Sequence, residues 1–380
     1  MIESCVRLKW SALFLLVLSA GCVWNGQERG DLFYRLIPDY PNAFSLLQLP
    51  DPGPVIDRAR ESLNKGMYDA AITDFDEALR IIRRHEQFLI SAGVAPLKCS
   101  VIQTPRCIAS LYLDRGICYY RIGKVERAIR DYNEALLLRP GYSAVYVARG
   151  TAHSDKGEYE RALNDFKEAL RIEPKNVFAY INRGNLYERK GETAEAISEY
   201  TLAIQADPKS AVAYYGRGRL YSTVGKYSEA ISDFERSISM DSSYVDAYSG
   251  RGYAYMTIGR FDDALADFNL VLDKRPRDVC AYVNRGNIFR LQGQYARAEE
   301  ELNHALEFGT TNSAVYHNKG LLYRDRGMSD EAIGMFSKAI EFDNNFKWAY
   351  SERGLQYLYR EQRDLAVKDF DVALKCNVSH

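Results

Sequence analysis

The sequence predicts an all-α fold of antiparallel helical hairpins that stack along one continuous core. A register of 34 residues runs without insertion or deletion from Ala109 to His380, and eight units fit this stretch. In every unit a glycine follows a tyrosine by four residues. An alanine recurs in the second half of every unit, and in most units an aromatic residue follows it by four places. A period of this length indicates a solenoid, because no single hairpin can bury its apolar face alone.

Each unit is expected to contain a helix A, a turn and a helix B. A second glycine follows the first by seven residues in seven units, and in the last unit Glu361 takes its place. Because glycine adopts the left-handed conformation without strain, this glycine predicts the end of helix A. The first glycine, such as Gly150, is expected to lie opposite an alanine of helix B, such as Ala162, so that the helices can approach closely. Prolines that end helix B occur at Pro140, Pro174, Pro208 and Pro276.

This frame resembles the signature of tetratricopeptide-repeat (TPR) proteins, in which an aromatic residue, Leu-Gly, Tyr, Ala, Phe, Ala and Pro recur with a period of 34. The resemblance covers more than two thirds of the chain. It implies a right-handed TPR α-solenoid whose helix A lines a concave groove for peptide segments of other proteins. The leucine place holds Arg or Lys instead, as at Arg115, Arg149, Arg183 and Lys319. We expect this departure to affect surface chemistry and not the fold.

The pattern divides the chain into five parts. The capping unit is recognised by Gly66, Ala71 and Phe75, which keep the repeat spacing, although its helix A lacks the tyrosine and the first glycine. The predicted parts are a signal peptide (1–21), an N-terminal tether (22–51), a degenerate capping TPR (52–85), an insertion loop (86–108) and eight tandem TPR units (109–380). The insertion is expected to begin as an extension of helix B and to continue as a loop.

The first 22 residues have the pattern of a secretory signal: a weakly basic start, a short apolar run and small residues before Cys22. Leu18 to Cys22 resembles the lipobox of bacterial lipoproteins, although Ser19 stands where that pattern usually has leucine. The resemblance implies lipidation of Cys22 and a lipid-anchored protein of the bacterial cell envelope that faces the periplasm. An ordinary secretory peptide or an uncleaved N-terminal helix is the alternative.

Two further cysteines, Cys99 and Cys107, lie eight residues apart in the insertion. In an oxidising periplasm they can close a disulfide loop that contributes about 2 to 3 kcal/mol. The cysteines that remain after Cys22 are odd in number, so the sequence does not indicate a full disulfide framework.

Several classes of function are disfavoured by composition and spacing. Lys and Arg total 50 against 51 for Asp and Glu, so no basic surplus indicates nucleic-acid binding. The five histidines lack metal-ligand spacing, and no catalytic or phosphate-binding motif occurs. His153 occupies a core place of its unit and is expected to be packed. We therefore expect no catalytic residues, no metal and no cofactor.

Asparagines recur on the predicted helix A. They stand two residues before the first glycine or one residue after it, at Asn182, Asn185, Asn284, Asn287 and Asn318. Their amides can pair with both the donors and the acceptors of a peptide backbone. We expect them to share one wall of the groove, although asparagine can also be common in this repeat for structural reasons.

The sequence therefore predicts a membrane-tethered protein–protein interaction scaffold, without enzymatic activity, that binds peptide segments and takes part in assembly of envelope or secretion machinery. A small-ligand carrier that uses the groove, or an enzyme that uses the N-terminal region, is the alternative. Bound metal or phosphate in the purified protein would favour these alternatives.

Overall fold

The computed structural model describes residues 50, 52–91, 105–308 and 311–376. The chain forms two compact units, Met1–Lys190 and Gly191–His380, and the elements within these described ranges are eighteen α-helices. The predicted all-α class is confirmed.

The helices of the first unit are α1 (Gly53–Asn64), α2 (Tyr68–Ser91), α3 (Pro105–Arg121), α4 (Val125–Leu138), α5 (Ser143–Asp155), α6 (Tyr159–Ile172) and α7 (Val177–Arg189). Helices α1 and α2, α3 and α4, and α5 and α6 form hairpins, and each hairpin packs against the next.

The second unit begins with α8 (Thr193–Ala206), and its hairpins follow in chain order. They are α9 (Ala211–Thr223) with α10 (Tyr227–Met240), α11 (Val245–Thr257) with α12 (Phe261–Lys274), α13 (Val279–Leu291) with α14 (Tyr295–Glu307), α15 (Ser313–Asp325) with α16 (Ser329–Phe342), and α17 (Lys347–Tyr359) with α18 (Arg363–Lys375).

Helix A ends at the second glycine, as predicted. In the turn between α3 and α4, Gly123 has φ of 76°. Its amide donates to the Tyr120 carbonyl at 3.0 Å, and the Lys124 amide donates to the Tyr119 carbonyl at 2.8 Å. These two bonds satisfy carbonyls that the end of a helix leaves unpaired. The other second glycines have φ between 73° and 80°.

Helix B ends two residues before the proline, since α4 stops at Leu138 and α6 at Ile172. Where serine or asparagine replaces proline, the helix ends at the same place. The carboxylate of Asp241 accepts the Ser243 amide at 2.9 Å, and that of Asp343 accepts the Asn345 amide at 3.0 Å. This local turn stops the helix without proline.

In most units the first glycine faces an aromatic ring of helix B. A Cβ atom on Gly150 would lie 2.7 Å from Cε1 of Phe166, and one on Gly320 would lie 2.5 Å from Cε1 of Phe336. Both rings are completely buried. Glycine is required here because the ring of helix B occupies the volume of a side chain. The predicted alanine of helix B is also close to the first glycine. A Cβ atom on Gly218 would lie 3.2 Å from the Ala230 carbonyl oxygen. One on Gly286, which faces Leu302, would lie 3.4 Å from that of Ala298. The alanines lie beside the ring and are also buried.

The region 86–108 contains parts of two helices. Helix α2 continues to Ser91, and α3 begins at Pro105, four residues before the predicted start of the first unit. Residues 92–104 lie outside the described residues.

Candidate peptide-binding surface

In most hairpins an ion pair fixes helix A against its helix B. The arginine that stands in the leucine place donates to an acidic residue sixteen positions later, and Arg251 reaches both oxygens of Asp267, at 2.9 Å and 2.7 Å. The side chain of Asp267 is only 3% exposed, and that of Arg251 is 20% exposed. Arg285 donates to only one oxygen of Glu301. The two-bond pairing also joins Arg58 to Asp74, Arg115 to Asp131, Arg149 to Asp165, Arg217 to Asp233 and Arg353 to Asp369.

Apart from Arg58, these arginines are largely buried in the hairpin, which corrects the expectation that they affect only surface chemistry. Burial raises the pKa of the Asp131 and Asp267 carboxyls, and the hydrogen bonds from Arg115 and Arg251 oppose that shift. At the more exposed first pair, the hydrogen bond from Arg58 lowers the pKa of Asp74. A bidentate pair of this kind sets the orientation of helix A and of the side chains on its other face.

Asn182 and Asn318 have the same local geometry, one in each unit. The amide nitrogen of Asn182 donates to the Phe178 carbonyl of α7 at 2.9 Å, and that of Asn318 donates to the Ala314 carbonyl of α15 at 2.9 Å. Each side chain is thus held by its own helix. Neither side-chain oxygen accepts a hydrogen bond from a residue that the structure describes, which leaves both oxygens available to an external amide.

Asn182 and Asn318 occupy the same position of the repeat, and this position lies where a hairpin packs against the preceding one. In two repeats glycine occupies it, and a Cβ atom on Gly250 would lie 2.6 Å from the Phe234 ring of the hairpin before. Asn182, Asn284 and Asn318 are accordingly half-buried. Limited access favours an extended segment over a bulky ligand at this place.

Asn287 is already engaged within the protein. Its side-chain oxygen accepts from two nitrogens of Arg290, at 3.2 Å and 2.8 Å, and its amide lies 3.9 Å from the sulfur of Met256. Asn185 is exposed on α7. The structure places the five predicted asparagines on three A helices of two separate units, and a common wall stays a prediction.

A network of charged residues joins three successive A helices of the second unit, and it was not predicted. Arg290 of α13 pairs with Asp325 of α15. Asp325 also accepts from Arg324 at 2.7 Å, and Arg324 donates to Glu352 of α17 at 2.7 Å. Arg290 and Arg324 lie one period apart, and this recurrence is the feature of the sequence that could have indicated the network. Their partners could not be predicted because the period does not reveal which side chains meet across hairpins.

His317 lies beside this network in an apolar setting. Its ring contacts the rings of Phe336 and Phe346, with centroids 5.8 Å and 5.1 Å away, and its Nε2 atom is buried without a hydrogen-bond partner among the described residues. Burial, together with the positive charges of Arg324 and Arg290, lowers the pKa of His317 to about 4. The imidazole is therefore neutral at physiological pH.

His153 is buried as expected, and its Nδ1 atom lies 2.7 Å from a carboxylate oxygen of Glu158. Histidine, cysteine, aspartate and glutamate form no group that could hold a metal ion within the described ranges. None of the helices described there has the length and apolar character that a bilayer span requires.

Cys22 and Cys99 lie outside the described residues, so lipidation and the disulfide stay predictions. Cys107 is half-buried in α3, and its carbonyl accepts the Ser110 hydroxyl at 2.7 Å.

Comparison with known proteins agrees with the hairpin geometry. Models described as TPR repeat or tetratricopeptide repeat match residues 109–142, 150–191, 177–210, 215–279 and 277–345. Together these matches cover more than half of the chain. A search of the curated proteins found no significant match.

Two solved structures share the fold. One is a tetratricopeptide repeat protein from Parabacteroides merdae ATCC 43184, with a TM-score of 0.52 and 22% identity over 68% of this chain and 98% of that chain. The other is a chain of the APC/C hetero-tetramer Cut9-Hcn1, with a TM-score of 0.53 and 15% identity over 87% of this chain and 74% of that chain. At these identities the likeness concerns the fold alone.

Proposed function

The chain belongs to the tetratricopeptide-repeat family, and we propose that it is a non-enzymatic scaffold that binds extended peptide segments of other proteins along its A helices. Proteins of this family generally mediate protein–protein interaction and bind peptides. One observation supports particular residues as the binding site. The side-chain amide nitrogens of Asn182 and Asn318 each donate to a carbonyl of their own helix, which fixes their side-chain oxygens in the same way.

The chemistry of these two oxygens suits a peptide backbone. An extended segment has an unpaired amide on alternate residues, and each such amide needs an acceptor when water is excluded. Because the asparagine amide is already fixed to the helix, the side chain loses little further entropy on binding. Asn284 occupies the same place of its repeat and supplies a third acceptor.

The test replaces Asn182, Asn284 and Asn318 together by alanine. Partners are first identified by affinity purification from the native envelope, and the binding segment is then titrated by calorimetry. Each lost hydrogen bond removes roughly 0.5 to 1.5 kcal/mol, so the triple variant should bind about tenfold weaker or worse. Asn164→Ala, at an exposed asparagine of helix B, is the control and should keep full affinity.

Thermal unfolding must accompany the titration. A triple variant that melts early but binds with unchanged affinity per folded molecule would show that these asparagines are structural. The binding surface would then have to be sought on helix B or in the region 86–108.

We also propose that the scaffold is held at a bacterial membrane, facing the periplasm, by lipid on Cys22, and that it assists assembly of envelope or secretion machinery. The lipobox-like residues Leu18 to Cys22 support this proposal. A Cys22→Ala protein should fractionate as soluble, since each buried methylene of a lipid anchor contributes about 0.8 kcal/mol. If the variant still sediments with membranes after washing at high salt, an uncleaved helix is the anchor.

A further inference from the structure

The second helix of the capping hairpin is much longer than any other helix B that the structure describes. Helix α2 has 24 residues, whereas the later B helices have 13 or 14. Aligned on the recurrent alanine, Ala71 in α2 and Ala128 in α4, the last ten residues of α2 lie beyond the point where α4 ends. This extension carries Arg83, Arg84 and Gln87.

Arg83 forms a hydrogen bond with the signature tyrosine of the first full repeat, whereas tyrosines of later repeats bond to the loop that precedes them. In later repeats the signature tyrosine donates to a carbonyl of the preceding inter-repeat loop, as Tyr180 does to Pro174 at 3.1 Å and Tyr248 to Ser242 at 3.4 Å. In the first full repeat the Tyr112 hydroxyl instead accepts from Nη2 of Arg83 at 3.1 Å. The extension of α2 is therefore held against α3 by an arginine.

A cavity of about 400 Å³ lies between α2, including part of its extension, and Arg115 of α3. Its polar lining consists of Asp76, Arg80, Arg83, Arg84, Gln87 and Arg115. Four guanidinium groups thus line one cavity together with a single carboxylate.

The charges of this lining are only partly compensated. Arg115 bonds to Asp76 at 2.5 Å and to Asp131 at 2.6 Å, and Arg80 lies 3.6 Å from Glu77. Arg83 and Arg84 are exposed, and the carboxylates whose side chains the structure describes form no ion pair with either. Among the described side chains, four guanidinium groups therefore meet three carboxylates, those of Asp76, Glu77 and Asp131, which leaves one positive charge in excess.

We propose that this cavity binds an acidic peptide segment through its side-chain carboxylates. Guanidinium groups match carboxylates in a planar, two-bond geometry. Arg80 and Gln87 are seven positions apart on one helix, which separates them by about 10 Å along its axis. A small inorganic anion would contact only part of that length, whereas neighbouring acidic side chains of an extended segment span it.

This inference is independent of the asparagine surface. The cavity is formed by α2 and α3, whereas the asparagines lie on α7, α13 and α15. A variant with alanine at Asn182, Asn284 and Asn318 should therefore bind the acidic peptide as the unchanged protein does. The two proposals can fail separately.

The experiment measures fluorescence anisotropy of a labelled peptide of alternating glutamate and glycine, titrated with the full chain. A peptide with glutamine in place of glutamate is the ligand control. Replacing Arg83 and Arg84 together by glutamine should weaken binding about tenfold or more. Replacing Arg130 and Arg171 together by glutamine removes equal charge from exposed sites on α4 and α6 and should leave the affinity unchanged.

Arg84→Gln alone keeps the bond from Arg83 to Tyr112 and should weaken binding about threefold, even if the double variant fails to fold. Equal binding of the glutamine peptide, or equal affinity of the Arg83/Arg84 variant and the unchanged protein, would overturn the proposal. Displacement of the peptide by inorganic phosphate at low concentration would show a small-anion site instead. Displacement by a single-stranded oligonucleotide of matched charge would indicate a nucleic acid.

Discussion

At the scale of single residues, most hairpins depend on a carboxylate that has little contact with water. Asp267 is among the least exposed acidic side chains, and Arg251 supplies both of its recorded hydrogen bonds. Taking one partner away leaves a buried charge that no solvent can stabilise. The first hairpin differs, because the Arg58 side chain is 58% exposed.

The replacement Arg251→Ala should lower the free energy of unfolding by about 3 kcal/mol, the scale for breaking a buried pair. Arg58→Ala removes the equivalent pair at an exposed arginine and should cost much less, because solvent screens the guanidinium charge. Urea unfolding followed by circular dichroism compares the two variants. Equal costs would show that burial does not set the strength of this pair.

His317 gives the fold a dependence on acid. Its pKa falls from 6.5 to about 4 in the folded state because burial disfavours the charged imidazolium, as do Arg324 and Arg290. A group whose pKa is depressed by folding supports the fold fully above its unfolded pKa, and that support is lost as the pH falls. The contribution of His317 to stability should therefore be constant above pH of about 6.5 and decrease by up to about 3 kcal/mol towards pH of about 4.

The matched variant is His317→Val, because Val283 occupies the same place one repeat earlier and is buried. Thermal unfolding across this pH range should show a weaker acid slope for the variant. If the slope is identical in the two proteins, protonation of His317 is not its cause.

At the scale of the hairpin, close packing of glycine on an aromatic ring decides the geometry. Gly320→Ala should cost about 1 to 3 kcal/mol, since the new Cβ atom would lie 2.5 Å from the Phe336 ring. Gly334→Ala, on α16 of the same hairpin, meets nothing within 4 Å and should stabilise the protein by about 0.5 to 1 kcal/mol. Melting temperatures that shift in the same direction would contradict the packing account.

The turn of the last hairpin carries a residue that strains it. Glu361 has φ of 62°, a conformation that costs a side-chain-bearing residue roughly 1 kcal/mol and costs glycine almost nothing. Glu361→Gly should therefore raise the free energy of unfolding by about 1 kcal/mol. The opposite change, Gly327→Glu in the preceding hairpin, should lower it. If Glu361→Gly destabilises the protein, the glutamate side chain makes a contact whose stabilising free energy exceeds the cost of the backbone strain.

At the scale of the whole molecule, the hairpins could be predicted because a period of 34 residues repeats the same local constraint many times. The positive φ of Gly123 and the end of α4 before Pro140 follow from backbone chemistry alone. The burial of Arg251 could not be predicted from the sequence. A charged residue in the leucine place indicates an exposed side chain, unless its ion-pair partner on the other helix is known. The extension of α2 occurs once, so no repetition could show where it ends or which side chains it brings against α3.

The predicted groove was harder to derive than the fold. The spacing placed Asn182 and Asn287 on A helices, but it could not show that Asn287 is already bonded to Arg290. Side-chain partners across helices depend on rotamers and neighbours that the period does not encode.

The central claim is that partners bind along the A helices, and site-specific photo-crosslinking tests it most directly. A photoreactive phenylalanine derivative is placed at Tyr253 of α11 or at Leu270 of α12, which are 46% and 43% exposed. Tyr253 occupies the same repeat place as Asn185 and Asn287. The two positions are similarly exposed, so a difference in capture reports where the partner binds. We expect the partner to be captured from the Tyr253 position, on helix A, and not from the Leu270 position, on helix B. Capture from Leu270 alone would contradict the account and place the binding surface on the B helices.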